Sequence, residues 1–362
     1  MRRSTYKDIV NFLVQVTPQA NKGQYYRRTS LMASLIHACI RNGHCRLESL
    51  SEATDGYRAE KKSSLLQQAK RWLGNKWTDW ETFYLPFVQY FMQGVSARGE
   101  IILIMDGSQT GTANTTLMLS VLFKGFAIPL AWIVKPGEKG HFPEEMHINL
   151  LKTIAGVCPK RCKVVLLGDG EFDSNALQQL CTDNHWSFVV RTSCDRQIDF
   201  NGESARFDSI RTSRRIFFIP DALPLANAVY WHGKKYVKPL FLLTNFELGQ
   251  DACDYYRRRF KIETLFKHLK SAGFYLHKTR LKCPCKLANL IIVVAFAFII
   301  SFCMGLFIKQ KEPVKTTELI VRKERLAKIN PLAIAQLAIR HQCQCVTIFF
   351  SELSKNFNEV FS

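Results

Sequence analysis

The sequence predicts an α/β protein whose amino-terminal quarter is entirely helical. Residues 1–95 carry apolar side chains at three- and four-residue spacing, interrupted by glycines, which is the pattern of short amphipathic helices. Near residue 100 the pattern changes to compact apolar runs typical of buried strands. With 362 residues, 47% of them hydrophobic, the chain is long enough for two or three domains around a substantial core.

The central region, residues 96–310, predicts the element order β-β-β-α-β-α-β. Three strands follow one another at 101–106, 115–123 and 127–135, and a helix begins in PEEMHINLL. The run KVVLLGD then predicts a buried strand that ends at Asp169, followed by a second helix and a fifth strand in WSFVVRTS. This order predicts one open sheet with helices packed on it.

A β insertion is predicted at about residues 194–250, where strand-like runs are broken by Gly, Pro and Asn. The apolar run 287–308 is long enough to cross a membrane, but it is solitary and follows a charged segment, so we favour a buried core helix. Residues 311–362 are predicted to be helical, and we expect them to contribute to dimerisation.

The amino-terminal helices include a candidate helix-turn-helix. LESLSEATDG and AEKKSSLLQQAKRWLGN give two short helices, and the second would present Lys70 and Arg71 to DNA. A purely structural helical bundle fits the same pattern. The sequence favours DNA contact only slightly over that alternative.

The charge balance points to a polyanionic partner. Lys and Arg number 50 against 30 Asp and Glu, a formal net charge of +20, and nucleic acid is the first candidate, with an anionic membrane or an acidic protein as alternatives. The amino terminus has too short an apolar core for a signal peptide, so we expect a cytoplasmic protein with reduced thiols. Its two CxC pairs lack the usual zinc spacing, so ordinary core or loop cysteines are favoured.

Two aspartates are predicted at strand ends. Asp106 follows IILIM and Asp169 follows VVLLG, and side chains at the carboxyl ends of strands project into the crevice of an open α/β sheet. Two carboxylates at the edge of a low-dielectric core repel each other, and a divalent cation relieves that repulsion. Carboxylate ligands select Mg²⁺ or Mn²⁺ rather than zinc. The alternative is that each aspartate is a turn or cap residue.

A third acid, Glu263, lies in the basic segment YYRRRFKIETLFKHLKSAGF. On a continuous helix of about 100° per residue, Tyr256, Arg259, Glu263 and Lys270 fall within an arc of about 60°. Intrahelical ion pairs would explain Arg259 and Glu263. They would not explain why Tyr256 and Lys270 share the same arc.

These residues carry a family resemblance. The spacing Tyr-x2-Arg-x3-Glu-x6-Lys resembles the YREK signature of DDE transposases from bacterial insertion sequences, in the IS-four-type, cut-and-paste branch of the Tn-five and Tn-ten enzymes. IMDGS and LLGDGEFDS resemble that family's first and second catalytic blocks. The second block departs from the usual Asp-Arg-Gly-Phe, because Gly170 and Glu171 follow Asp169. Asp173 lies close by and is interpreted as a helix N-cap.

The resemblance implies a ribonuclease-H-like core, a mixed five-stranded sheet, in which Asp106, Asp169 and Glu263 bind two Mg²⁺ ions. It also implies that Tyr256, Arg259 and Lys270 contact DNA phosphates, that DNA is nicked, converted to a hairpin and joined to a target, and that a homodimer pairs the two element ends. Trp231, in the insertion beside Lys234 and Lys235, is the candidate for stacking an extruded base, with sheet packing as the alternative. We therefore expect a Mg²⁺-dependent transposase acting on double-stranded DNA. The rivals are a ribonuclease-H-like nuclease without strand transfer and a catalytically silent DNA-binding protein.

Overall fold

The structure is a computed structural model. It describes residues 5–17, 22–51, 62–137, 141–210, 212–233, 237–271, 273–310, 330–341 and 343–355.

The described part of the amino-terminal region is helical, as the sequence predicts. Its helices are α1 Thr5–Val16, α2 Gly23–Asn42, α3 Leu47–Leu50, α4 Lys62–Leu73, α5 Trp80–Phe83 and α6 Leu85–Ser96. The candidate helix-turn-helix corresponds to α3 and α4, but the residues that would join them, 52–61, lie outside the described residues. Lys70 and Arg71 are exposed near the end of α4, so their predicted DNA contact stays a prediction.

One mixed sheet of eight strands forms the centre of the molecule. Its strands are β1 Glu100–Thr110, β2 Asn114–Phe123, β3 Phe126–Pro136, β4 Lys163–Gly168, β5 Ser187–Arg191, β8 Ile216–Leu223, β9 Ala226–Trp231 and β10 Leu240–Thr244. They lie in the order β3-β2-β1-β4-β5-β10-β9-β8. The first three are antiparallel, and β4 and β5 run parallel to β1 and to each other. The predicted order β-β-β-α-β-α-β is confirmed, with α7 Glu144–Ala155 and α8 Asn175–Asp183 as its helices.

The predicted insertion adds to that sheet. β10 pairs antiparallel with β5, and β9 and β8 follow outward. The remaining two strands, β6 Gln197–Phe200 and β7 Glu203–Arg206, form a separate hairpin. The insertion therefore lengthens the central sheet beyond the five strands expected from the sequence.

Two predicted boundaries are wrong. β1 does not end at Asp106 but continues to Thr110, because residues 107–110 keep pairing with β2 up to a tight turn at Gly111, whose φ is +68°. The predicted helix from Tyr255 is also divided, into α9 Gly249–Tyr256 and α10 Lys261–Lys270.

The apolar run forms α11 Pro284–Gln310, a core helix. Its length and mean hydropathy of 2.9 would suit a membrane span, but 83% of its most apolar window is buried within the protein. Asn289 donates to the carbonyl of Leu73 at 2.9 Å, and the Trp132 indole donates to Ala288 at 3.1 Å. This helix therefore joins the amino-terminal helices to the sheet in one hydrophobic core.

Two further helices, α12 Pro331–Arg340 and α13 Gln344–Lys355, pack against α11. The closest approach is at Gly305, where a Cβ atom would lie 1.9 Å from the carbonyl oxygen of Pro331. A glycine is therefore required at this crossing. Residues 311–329 and 356–362 lie outside the described residues, and the predicted role of this region in dimerisation stays a prediction.

Candidate active site

The two aspartates are brought together by strand register. β1 and β4 are parallel, and their last paired positions are Ile104 and Leu167. Continuing that register by two places sets Asp106 opposite Asp169, on the same face of neighbouring strands about 4.8 Å apart. The extension of β1 does not disturb this relationship, since β4 ends at Gly168 and leaves the crevice open beside Asp106.

The environment of Asp106 opposes its negative charge. Burial, followed by the nearby charge of Asp169, raises the pKa of Asp106 to about 7. The Arg259 guanidinium and a hydrogen bond from the Gly107 N–H act in the opposite direction without cancelling this effect. The site therefore holds a carboxylate pair that a cation would stabilise.

Arg259 connects the first and third acids. Its Nη1 lies 3.3 Å from Oδ2 of Asp106, and its Nη2 lies 2.7 Å from Oε1 of Glu263. The guanidinium is almost completely buried and sits over the Phe260 ring. A planar fork of this kind binds two carboxylates with fixed geometry.

The break between α9 and α10 carries Arg259 to this position. The N–H groups of Arg258, Arg259, Lys261 and Ile262 donate to carbonyls three residues earlier, so the segment winds more tightly than an α-helix. Because the helix is not continuous, the four residues do not share one helical face. They converge instead on the crevice above β1 and β4.

Tyr256 and Lys270 flank the acids. Burial raises the pKa of Tyr256 to about 12, and its hydroxyl also senses the charges of Arg259, Arg191 and Asp169. Lys270 donates to the Ser108 hydroxyl. Burial lowers the pKa of Lys270, while the charge of Asp106 partly restores it. The four residues that the sequence placed in one helical arc therefore surround the aspartate pair.

A divalent cation fits the aspartate pair better than the complete triad. Asp106 and Asp169 provide hard oxygen donors, and their mutual repulsion would be relieved by such an ion. Glu263 is 53% exposed and held by Arg259. Across the part of the chain that the structure describes, no three His, Cys, Asp or Glu side chains form a metal-binding cluster. In the structure Glu263 is therefore bound to Arg259 rather than grouped with the two aspartates.

Asp169 is preferred over Asp173 as the site residue. Asp173 accepts a hydrogen bond from Thr192 and lies 3.7 Å from Arg196, away from β1. The expectation that Asp173 caps α8 is wrong, since Ser174 is the N-cap and accepts from the Leu177 N–H. Asp169 itself accepts from the N–H of Glu171 at 3.0 Å.

Sequence reasoning missed Arg191, which ends β5. The β4–β5 register pairs Gly168 with Val190, so the next place sets Arg191 beside Asp169. Arg191 is exposed and influences the titration of Tyr256. The signal that could have identified Arg191 is its position directly after the buried apolar residues of a strand, once the order of the strands in the sheet is known.

Sequence reasoning also missed a pair behind the site, the buried His147 of α7 and the partly buried Glu171. Nε2 of His147 lies 3.3 Å from Oε1 of Glu171, which also accepts from the Phe142 N–H. Burial acts to raise the pKa of Glu171, but His147, this N–H and His141 hold it below its usual value. The pair fastens the loop after β4, and with it Asp169, to α7.

Trp231 is not placed to stack a base. It lies in β9 between β8 and β10, its side chain is buried at 2% exposure, and the Arg257 guanidinium sits over its ring at 5.0 Å. The alternative of sheet packing is therefore correct for this structure. Lys234 and Lys235, predicted beside it, lie outside the described residues.

Comparison with known protein families identifies the domain. Residues 143–300 match the family model described as "Transposase DDE domain". The chain carries a transposase DDE domain. The matched span of this DDE-type transposase contains Asp169 and Glu263, and Asp106 enters the site through the pairing of β1 with β4. DDE transposases generally use divalent metals, in agreement with the donor set at the aspartate pair.

Among solved structures, the transposase is similar to a chain of the piggyBac transposase synaptic complex with hairpin DNA. The two share 12% identity with a TM-score of 0.46, over 96% of this chain and 84% of that one. No curated protein matches the chain.

Proposed function

We propose that this transposase binds the ends of its own insertion sequence and catalyses metal-dependent DNA cleavage and strand transfer. The observation that carries the proposal is the convergence of Asp106, Asp169 and Glu263, from three distant parts of the chain, around one buried guanidinium. The core is then ribonuclease-H-like, which the strand order β3-β2-β1-β4-β5 supports.

In this proposal Asp106 and Asp169 would hold a divalent cation, Mg²⁺ with Mn²⁺ as a substitute, and Glu263 would complete a two-ion site. Such ions activate a water or 3′-hydroxyl and stabilise the leaving oxygen. Glu263 is suited to join the metal site after the aspartates, because its side chain is half exposed and is bound only through Arg259 among the described residues. Its movement towards the aspartates would free one edge of the guanidinium.

Arg259, Tyr256 and Lys270 then bind phosphate oxygens beside the reacting bond. A guanidinium fork and an ammonium group are good phosphate donors. The edge of Arg259 that faces Asp106 would be available to a phosphate if a bound cation compensated the charge of Asp106. Support comes from the position of all three side chains around the aspartate pair.

The finer features are also part of the proposal. Cut-and-paste transposition through a hairpin and a homodimer in the synaptic complex are implied by the family resemblance that the YREK residues 256–270 carry, and action in the bacterial cytoplasm is proposed with them. Trp231 has no part in base stacking here, because its ring is covered.

The deciding experiment offers the purified chain a pre-cut element end with a free 3′-hydroxyl, a target duplex and Mg²⁺. The end is taken from DNA flanking the gene. A joined product supports a transposase. Cleavage of intact ends without any joined product would favour a nuclease, and DNA binding without either reaction would favour a catalytically silent protein.

A further inference from the structure

A surface beside the active site carries positive charge without any acid. Between Glu263 and Gln310 the sequence contains no aspartate or glutamate. Within it, Arg280, Lys282 and Lys286 are exposed, and we name these three residues the basic track. Among the described residues, none of them forms an ion pair with an acid. Unrelieved like charges of this kind repel, and a polyanion removes that cost.

The backbone that carries the track is held rigidly. The amide of Asn114, at the start of β2, donates to the carbonyls of Leu281 and Lys282, each at 3.2 Å. Thr279 is buried against Gly111 in the β1–β2 turn. Buried anchors thus alternate with exposed cations, so that the cations project from a fixed edge rather than from a mobile loop.

The track continues onto the amino-terminal helices. A Cβ atom on Gly74, just after α4, would lie 3.1 Å from Cε of Lys286. The exposed residues Lys70 and Lys76 flank this glycine. The positive surface therefore passes from the segment before α11 to the end of α4.

The track is also joined to the active site. The ring of His277 contacts the carbonyl of Lys270, and the turn Leu276–Lys278 packs on β1. From Asp106 to Gly111, β1 advances about 17 Å at about 3.4 Å per residue. Duplex DNA rises about 3.4 Å per base pair, so this distance spans about five base pairs.

We propose that the basic track binds the phosphate backbone of duplex DNA about five base pairs from the phosphodiester that reacts at Asp106. The distance between the track and the reacting phosphodiester rests on the proposed function, whereas phosphate binding by the track is independent of catalysis. DNA is favoured over an anionic membrane because the track is continuous with the carboxylate site. The segment that carries it packs on the β1–β2 turn, at the end of the strand that bears Asp106.

The first test compares two triple variants of the full chain with the wild type. Arg280→Gln/Lys282→Gln/Lys286→Gln removes the track. Lys152→Gln/Lys160→Gln/Arg161→Gln is the matched control, because its three exposed cations lie in the last turn of α7 and in the loop that leads to the start of β4, whereas Asp169 follows the other end of that strand. Affinity for a duplex of arbitrary sequence is measured from low to high salt, after thermal unfolding has shown that both variants fold.

The track variant should lower the slope of log affinity against log salt by about 2.7, from about 0.9 for each lost phosphate contact. The control should leave the slope unchanged. Equal slopes for the track variant and the wild type would overturn the proposal. So would loss of binding to vesicles of anionic lipid with DNA binding unaltered.

The second test addresses the register. A neutral methylphosphonate is placed about five nucleotides from the cleaved bond in an end duplex. It should weaken binding of the wild type several-fold and leave the track variant unaffected, since the contact is already lost. Equal weakening of both proteins would contradict the register. If the wild type cleaves no DNA at all, the proposed function fails, but the salt slopes still decide whether the track binds phosphate.

Discussion

Asp106 of β1 lies opposite Asp169, the residue after β4, when the parallel register of the two strands is continued by two places. Nothing else in the described structure fixes the site so directly. The pairing brings together residues 63 positions apart (169 − 106) and gives the crevice a charge that Arg259 only partly neutralises. The predictions below follow from this arrangement.

Replacing Asp106 by Asn should change how stability depends on pH. The folded-state pKa of Asp106, about 7, lies above its unfolded value of 3.8. Its contribution to stability is therefore complete below pH 4 and is lost as pH rises through 7. In metal-free buffer the free energy of unfolding of the variant should rise relative to that of the wild type between pH 4 and pH 8. The rise should be as much as about 4 kcal/mol, at about 1.4 kcal/mol per pKa unit. Urea unfolding at several pH values measures this, and a constant difference would contradict the assigned pKa.

Removing the Arg259 guanidinium should lower the free energy of unfolding. Arg259→Ala leaves Asp106 without its buried partner, and breaking a buried pair in this way typically costs about 3–5 kcal/mol. The loss should be smaller at pH 5, where Asp106 is largely protonated. Lys267→Ala is the matched control on α10, since Lys267 is exposed. If the two variants lose equal stability in urea unfolding at pH 8, the buried contact is unimportant.

Trp231 should behave as a packing residue. Trp231→Ala should lower the free energy of unfolding by about 3–5 kcal/mol, because the side chain is buried between β8 and β10. Trp231→Phe should remain folded and keep its cleavage and hairpin activity. A folded Phe variant that nicks DNA but fails specifically at the hairpin step would restore the base-stacking role.

The pair behind the site should position Asp169. His147→Ala removes the ring that lies 3.3 Å from Glu171 and frees the loop after β4. We expect a tenfold or greater loss of cleavage rate with near-normal DNA affinity, and partial recovery in His147→Gln, whose amide can still donate to the carboxylate. Loss of affinity and rate in equal measure, without recovery in the Gln variant, would point to a general structural defect.

The order of strands and helices along the chain, and the position of the two aspartates after apolar runs, are predictable from the sequence, because both depend on local apolar runs. β4, β5 and the first half of β1 are compact apolar segments, and side chains that follow such runs on neighbouring parallel strands meet at one edge, although the continuation of β1 to Thr110 is not predicted. The burial of α11 is also predictable, since a solitary apolar run beside a charged segment fits a core helix. The lengths and positions of apolar runs are sufficient for these features.

The remaining features depend on packing that a single sequence does not encode locally. The break between α9 and α10 places Arg259 in contact with Asp106, 153 residues away, and a local pattern does not reveal such a contact. The His147–Glu171 pair joins α7 to a loop 24 residues later (171 − 147). Trp231 was misjudged because alternation in β9 does not reveal that both faces are covered. Tertiary context decides each of these cases.

The central claim is that Asp106, Asp169 and Glu263 act together through a divalent cation on DNA. The most direct measurement is the rate at which Glu263→Gln cleaves an end duplex in Mg²⁺, with DNA affinity measured in parallel and Glu247→Gln, an exposed acid of the loop before α9, as the control. We predict that Glu263→Gln binds DNA at least as tightly as the wild type and cleaves it at least a thousandfold more slowly, whereas the control cleaves normally. Cleavage by Glu263→Gln at the wild-type rate would contradict the claim.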